Sequence, residues 1–396
     1  MKKNNKIDLV ILAGGKGTRI QTFLKGNPKP LVKFKNISFL QILLNNYCKY
    51  PFENIYILCG YKGTKIYKKF NNKLVNFVKV KCIIERKPLG TAGALNGLKK
   101  IIKNDFFLVN GDSYCEVELS KFFFQYNDDN KIFLTNNNSY KSNSKLANLS
   151  LDNQNKVFFS KNGKLMNAGI YFFKKKFLNK IKKKSFSLEN EIITDYINKK
   201  KIKGLIVKGF FIDIGTEKNL FKAMKKLPSI LKKPAAFLDR DGVINYDYDY
   251  VFEIKNFKFM KDTIKTLKYL IENRYYIFVI TNQAGIAKKK FSLRSFVKLQ
   301  KYLKYYLNRK YIHFDDVQYC PYHKNALIKK YKKSSTLRKP NNGMINKLNR
   351  NWFIDKKKSF FIGDQFLDML CAKKSNLYYQ FREENFLTQI KKIVGR

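Results

Sequence analysis

The sequence predicts two α/β domains in tandem. Each should be a mainly parallel sheet flanked by helices, with its active groups beyond the carboxyl ends of the strands. Three observations carry this. The chain is 396 residues long, the size of two ordinary domains. Short apolar runs at residues 7–13, 55–59, 106–110, 275–280 and 360–362 alternate with stretches of helical apolar spacing such as Phe39–Tyr47. The series also starts afresh after a basic piece flanked by Pro228 and Pro234. The expected boundaries are therefore 1–226 for the first domain, 227–234 for a linker and 235–396 for the second. No internal repeat is visible.

Composition excludes several classes. An apolar fraction of 44% suffices for packed cores rather than disorder. No apolar run is long enough for a membrane span, so no membrane insertion is expected. The start, Met-Lys-Lys-Asn-Asn-Lys, leads into a strand without an apolar secretion region. Six scattered cysteines (48, 59, 82, 115, 320 and 371) form no Cys-x-x-Cys, which suits a reduced, cytoplasmic protein. The formal charge of +52 would suit a nucleic-acid partner, but the lysines are spread along the chain rather than blocked into a tail. A solvated basic surface that attracts phosphorylated substrates is the expectation, with no nucleic acid bound. Oligomeric state is left open.

Taken in order, the strand 7–13 runs into Gly14-Gly-Lys-Gly-Thr-Arg19. Glycines let backbone approach an anion, and consecutive N–H groups can cradle phosphates. No Gly-Lys-Ser/Thr opens a helix here, so this is not a P-loop. Asn27-Pro-Lys-Pro30 follows and puts Lys29 on a rigid segment. Glu85-Arg-Lys-Pro-Leu-Gly-Thr-Ala-Gly93 is a second Gly-rich turn, and the apolar run from Phe106 ends in Asp112. Residues 127–144, rich in Asn and Asp, read as a solvated loop or strand edge. Asn167-Ala-Gly169 and Phe211-Ile-Asp-Ile-Gly-Thr216 complete the set, and a helix follows Thr216.

Leu-Ala-Gly-Gly-Lys-Gly-Thr-Arg with Pro-Lys-Pro resembles the sugar-1-phosphate nucleotidyltransferases, and the later turns resemble the same family in order. The resemblance implies a Rossmann-like nucleotidyltransferase fold. It implies nucleotide binding by Gly14, Gly15, Gly17, Glu85, Gly90, Thr91 and Gly93, and catalysis by Arg19 and Lys29. It implies sugar binding by Asn167 and Gly169, and Mg²⁺ held by Asp112 and Asp213. Lys161 takes the sugar-phosphate role, although Ser160 stands where the family often has Glu. The implied substrates are a nucleoside triphosphate, with GTP favoured, and a sugar phosphate. The implied reaction has a sugar-phosphate oxygen attack the α-phosphorus while pyrophosphate leaves.

The second half opens on Ala236-Phe-Leu-Asp-Arg-Asp-Gly-Val-Ile-Asn245. Two acids at the end of a buried strand are unlike core residues, because an unpaired buried charge is too costly. One carboxylate can attack phosphorus while the other moves the proton. Alone, Asp-x-Asp-Gly fits a polar turn equally well. Three later segments favour the chemistry: Thr281-Asn-Gln-Ala-Gly-Ile286, Arg338-Lys-Pro340, and Phe360-Phe-Ile-Gly-Asp-Gln-Phe-Leu-Asp368. Together they resemble the phosphatases of the haloacid dehalogenase (HAD) superfamily, within the heptose 1,7-bisphosphate 7-phosphatase and histidinol-phosphatase branch. The resemblance implies a HAD-like Rossmannoid fold. Asp239 would be the nucleophile and Asp241 the acid and base. Mg²⁺ would be held by Asp239, Asp364 and the carbonyl of Asp241, and substrate by Asn245, Thr281, Asn282, Gln283, Arg338 and Lys339. Branch members carry a structural zinc loop. Here Cys320 stays, Ser335 and Leu337 replace two cysteines, and His323 is one position late, so zinc is expected to be absent.

The combined expectation is a bifunctional enzyme of the heptose type. Its N-terminal half would resemble the heptose 1-phosphate guanylyltransferases. A mannose- or glucose-1-phosphate type transferase joined to a phosphatase of another sugar phosphate, or of histidinol phosphate, is the alternative.

Overall fold

The computed structural model describes residues 6–85, 90–125, 129–136, 146–181 and 187–395. The chain divides into two compact units, Met1–Asn46 with Phe52–Leu227, and Tyr47–Pro51 with Pro228–Arg396.

The first unit is built on an eight-stranded sheet. Its spatial order is Lys203–Ile206, Lys131–Thr135, Met166–Phe173, Asp105–Asn110, Ile7–Ala13, Asn54–Cys59, Val78–Ile84 and Leu74–Val75. Ile7–Ala13 lies parallel to both neighbours, with Leu9 opposite Ile55 and Phe107. Strands covered on both faces read as continuous apolar runs, and six of its seven residues are buried. Phe107 anchors one layer, its ring 5.1–5.9 Å from those of Phe52, Phe122, Phe133 and Phe172.

Three points differ from the expectations or add to them. First, the sheet is mainly parallel, but Met166–Phe173 is antiparallel to both of its neighbours. A parallel return needs a long crossover, usually a helix. The described part of the chain before Met166 instead holds an antiparallel pair, Leu149–Leu151 with Val157–Phe159. Second, the stretch 127–144 is not all loop. Lys131–Thr135 is a wholly buried interior strand. The polar residues around it mask its Ile-Phe-Leu centre; residues 127–128 and 137–144 of that stretch lie outside the described residues. Third, the helix Glu217–Ile230 runs past 226 with Pro228 inside it. Leu220, Ala223 and Leu227 recur at helical spacing and are all buried, which carries the helix into the expected linker.

The second unit has a five-stranded sheet in the order Asp316–Cys320, Tyr276–Asn282, Ala235–Leu238, Phe360–Gly363 and Tyr378–Phe381, parallel throughout. One side of it packs Phe237, Phe278 and Phe361 with Met344, Leu348 and Trp352. Because every strand points the same way, Asp239, Asn282 and Asp364 come out at one edge. Among the described residues no helix is long and apolar enough to cross a membrane.

Candidate active sites

In the first unit a cavity of about 350 Å³ opens at the carboxyl ends of the central strands. Leu12, Ala13 and Leu58 form apolar wall, while Gly14, Gly15, Lys29, Glu85, Gly90, Thr91 and Asp112 line the rest with Glu189. Gly17 sits at φ +64°, a left-handed conformation that favours glycine, as the chain turns into the short helix at Thr18–Ile20. Lys29 Nζ lies 2.9 Å from Asp112 Oδ2. Burial opposes the Lys29 ammonium, but Asp112 and Asp213 outweigh it and its pKa stands above the ordinary value.

Asp213 reaches the same place by sheet pairing. Phe211–Asp213 runs antiparallel to Ser113–Cys115, with Asp213 opposite Ser113. The Ser113 hydroxyl lies 3.2 Å from Asp213 Oδ2 and 3.5 Å from Asp112 Oδ1. Burial, with the neighbouring Asp112, pushes Asp213 up to about 6. Two carboxylates this close repel unless a cation joins them, so the pair fits an oxygen-seeking divalent ion beside Lys29.

Not every expected residue lines this cavity. Arg19 is exposed, and Gly93 is buried in the helix Gly90–Asn96. Lys161 is exposed in the turn after Val157–Phe159. Asn167 acts one step away. Its amide nitrogen donates to Glu189 Oε1 at 3.0 Å, its Oδ1 accepts from the Gly169 N–H at 2.9 Å, and Tyr171 and Asn110 also donate to Glu189 Oε1, at 3.0 and 3.2 Å. Burial raises the Glu189 pKa despite these donors. Glu189 and Asn110 escaped the sequence reading. The available signal was an acid within an otherwise lysine-rich stretch, two residues after Ser187, whose hydroxyl caps the Asn190 N–H at 3.2 Å. Residues 86–89 of the second Gly-rich turn lie outside the described residues.

In the second unit a cavity of about 270 Å³ holds the two aspartates of the first motif with Thr281, Asn282, Gln283, Arg338, Lys339, Asp364 and Asp368. The two aspartates face different partners. Asp239 Oδ2 is 2.8 Å from Lys339 Nζ, which also contacts Asp368 Oδ1 at 2.5 Å. Asp241 turns to Arg240, whose Nε and Nη2 hold both its oxygens at 2.7–3.1 Å, and to Asn245 (2.9 Å) and Gln283 (3.1 Å). Arg240 is itself buried, donating to the Val251 carbonyl at 2.7 Å and lying over the Phe296 ring. The Gln283 amide also donates to the Thr281 hydroxyl at 2.8 Å. Asn282 brackets Lys339 through its backbone, accepting from its N–H (3.1 Å) and donating to its carbonyl (3.2 Å).

Asp239, Asp364 and Asp368 each offer an oxygen, all within 4.8 Å of one another, and Asp364 Oδ1 is buried without a hydrogen-bond partner among the described residues. That acid set fits a hard divalent cation. Burial chiefly, then Asp368 and Asp241 against the opposing Lys339, pushes Asp239 up to about 8. Gly242 makes room for the cluster. Its φ is +77°, and a Cβ there would stand 2.2 Å from Asp364 Oδ2. The full role of Asp368 was missed in the sequence. It occupies the third position of the helix Phe366–Lys374, where its carboxylate accepts from the Gln365 N–H at 3.1 Å. Arg240 was missed as well.

These geometries define a class: an enzyme with one site for moving a nucleotidyl group and another for removing a phosphate. The nucleotidyl transferase family profile matches residues 9–230, and the polynucleotide kinase 3 phosphatase profile matches residues 235–376. D-glycero-beta-D-manno-heptose-1,7-bisphosphate 7-phosphatase of Rhodopseudomonas palustris is 35% identical over 41% of this chain and 91% of its own length. The Escherichia coli K12 enzyme of the same name is 35% identical over 36% of this chain and 75% of its own. Among solved structures, HddC from Yersinia pseudotuberculosis is 30% identical over 56% of this chain and 99% of its own, with a TM-score of 0.46. The chain belongs to the nucleotidyl transferase family through its first unit and, through its second, to the HAD-like family of the heptose bisphosphate phosphatases. It is an enzyme with both kinds of domain.

Proposed function

We propose that the second unit removes the 7-phosphate of D-glycero-D-manno-heptose 1,7-bisphosphate, and that the first unit then transfers GMP from GTP to the heptose 1-phosphate, releasing pyrophosphate. The transferase is assigned to residues 1–226 and the phosphatase to 235–396, in a cytoplasmic enzyme. One observation carries the reading. Asp239 and Asp241 leave a single strand into one cavity yet hold opposite partners, a lysine and acids for the first and hydrogen-bond donors for the second. The named phosphatase relatives support the sugar. The fusion supports the sequence of steps, because one half would make the other's substrate. Guanine rests on the resemblance of the N-terminal motifs to heptose 1-phosphate guanylyltransferases.

In the phosphatase, Asp239 attacks the phosphorus, and the bond to the sugar oxygen breaks. Asp241, held by Arg240, Asn245 and Gln283, gives that oxygen a proton and later takes one from the water that splits the aspartyl phosphate. Thr281, Asn282 and Lys339 hold the transferring oxygens, and Lys339 offsets their charge. In the transferase, Lys29 and Arg19 neutralise the triphosphate while the glycines at 14, 15 and 90 let backbone approach it, and Asn167 with Glu189 fixes the sugar. Mg²⁺, held by Asp239, Asp364 and Asp368 in one unit and by Asp112 and Asp213 in the other, would supply positive charge to phosphate oxygens and favour ionised carboxylates. The test is phosphate release from heptose bisphosphate, followed by nucleotide addition with GTP, ATP, CTP and UTP in turn. Release without addition from GTP would overturn the coupling.

A further inference from the structure

Two of the three clustered acids of the phosphatase cavity are joined by one neutral residue. Asp364 follows the strand Phe360–Gly363, Asp368 lies in the first turn of the helix Phe366–Lys374, and Gln365 between them opens that helix. Gln365 bonds to both acids. Its side-chain nitrogen donates to Asp364 Oδ2 at 3.0 Å, its side-chain oxygen accepts the Asp368 N–H, and its own N–H donates to Asp368 Oδ2 at 3.1 Å. Its carbonyl accepts from the Tyr379 hydroxyl at 3.3 Å. Gln365 is exposed, and fixing a long exposed side chain costs rotamer freedom. Capping the helix does not require it, because serine or aspartate caps at least as well. What glutamine adds is the reach of its nitrogen to Asp364.

The oxygens that Gln365 engages decide which one stays open. With Asp364 Oδ2 held, Oδ1 is left buried without a hydrogen-bond partner among the described residues, in the cluster shared with Asp239 and Asp368. Lys339 fixes the other pair, Asp239 with Asp368. Carboxylates that hold a cation are oriented by hydrogen bonds to their remaining oxygens, and loss of such a partner lowers affinity by about 10–100-fold. We propose that Gln365 is a positioning residue for the cation site: its amide sets Asp364 and Asp368 at the spacing at which they hold a divalent ion with Asp239. This rests on the reading that these acids take Mg²⁺, and not on which sugar phosphate is cleaved.

The experiment titrates the full chain with Mn²⁺, a paramagnetic stand-in for Mg²⁺, and reads free ion by electron paramagnetic resonance without substrate. Asp112→Asn is carried in every arm, to remove an acid proposed for the other cation site. Gln365→Ser keeps a cap for the Asp368 N–H but is too short to reach Asp364. It should raise the Mn²⁺ Kd about tenfold, the low end of the range because Gln365 is exposed. It should keep the Tm of the second unit in chelator within about 2 °C. At saturating Mn²⁺ its KM for heptose 1,7-bisphosphate, or for p-nitrophenyl phosphate if the bisphosphate is not cleaved, should stay within about twofold. Gln365→Ala should raise Kd equally and also lower Tm by about 2–5 °C, since the cap is lost too. Parent Mn²⁺ affinity in Gln365→Ser would overturn the proposal. With Tm lowered in Gln365→Ala alone it would leave a helix cap, and with KM raised a substrate contact. Parent affinity in Asp364→Asn would remove the cation reading and the proposal together. A tenfold loss of affinity in Gln365→Ser, in a protein that does not cleave the heptose bisphosphate, would sink the sugar reading and uphold the positioning role.

Discussion

The two sites handle phosphate with different architectures. In the second unit the reacting groups leave neighbouring strands of one parallel sheet, and they are already bonded to one another: Asp239 to Lys339, Lys339 to Asp368, Asp241 to Arg240, Asn245 and Gln283. In the first unit Lys29 meets Asp112, but Arg19 and Lys161 stand exposed and outside the cavity. Charges that are preassembled need little rearrangement when substrate arrives, whereas exposed cations on turns must be gathered by the anion they bind. The phosphatase is therefore expected to be sensitive to single changes in its cluster, and the transferase to be limited by substrate-induced ordering.

Removing one acid from each site should break this comparison most sharply. Asp239→Asn should lower phosphatase kcat by on the order of 10³-fold or more while nucleotidyl transfer is kept, and Asp112→Asn should do the reverse. Steady-state rates of both reactions on both folded variants check this, and loss of both activities in either one would count against independent sites. The covalent step has its own readout. A substrate with a chiral phosphoryl group should give net retention at phosphorus, since two in-line displacements invert twice. Net inversion would mean that water attacks directly.

The next effect is on stability. Lys339 is 3% exposed between two carboxylates. Lys339→Met leaves buried negative charge uncompensated and should destabilise the second unit by about 3–5 kcal/mol. Urea unfolding followed by a probe in that unit measures it. A change under about 1 kcal/mol would show that the cluster is less buried than its geometry implies.

A smaller effect concerns pH. Burial and neighbouring acids raise Asp239 from 3.8 to about 8 in the metal-free protein. Between those values the folded state binds the proton that the unfolded state has released, so stability from this group is present at low pH and is lost as pH rises toward 8. In chelator, the Tm of the wild type relative to Asp239→Asn should fall across that window, and Mg²⁺ should lessen the fall. A relative Tm that rises with pH would contradict the assignment. The smallest effect should come from zinc. With Ser335 and Leu337 in place of cysteines, a zinc-selective chelator should leave phosphatase activity unchanged. About one zinc per chain by elemental analysis would refute this.

Much of both candidate sites could be read from the sequence because the carboxylates proposed for catalysis interrupt apolar runs. Asp112, Asp239 and Asp364 each follow a buried strand, and that break in pattern is visible in one dimension. Glu189, Asp368 and Arg240 follow no such rule. Glu189 becomes part of the cavity only when the strand Met166–Phe173 supplies Asn167 and Tyr171. Asp368 is indistinguishable from a helix-capping acid until Lys339 arrives from another segment. The mixed first sheet was hidden for a similar reason. Pairing direction depends on how the chain returns, and that is not encoded in the apolar pattern of one strand.

The parallel sheet of the second unit also sets an order in time. Ala235 is bonded to Ser359 across 124 residues of sequence, and Asp239 accepts its lysine and acid partners from that later part of the chain. During synthesis Asp239, the proposed nucleophile, leaves the ribosome long before Lys339, Asp364 and Asp368. Contacts this distant are slow to form, and an early strand waiting for its neighbours exposes apolar surface meanwhile. The compact arrangement that favours catalysis thus leaves the nascent phosphatase dependent on completing nearly all of its chain before it can close its site.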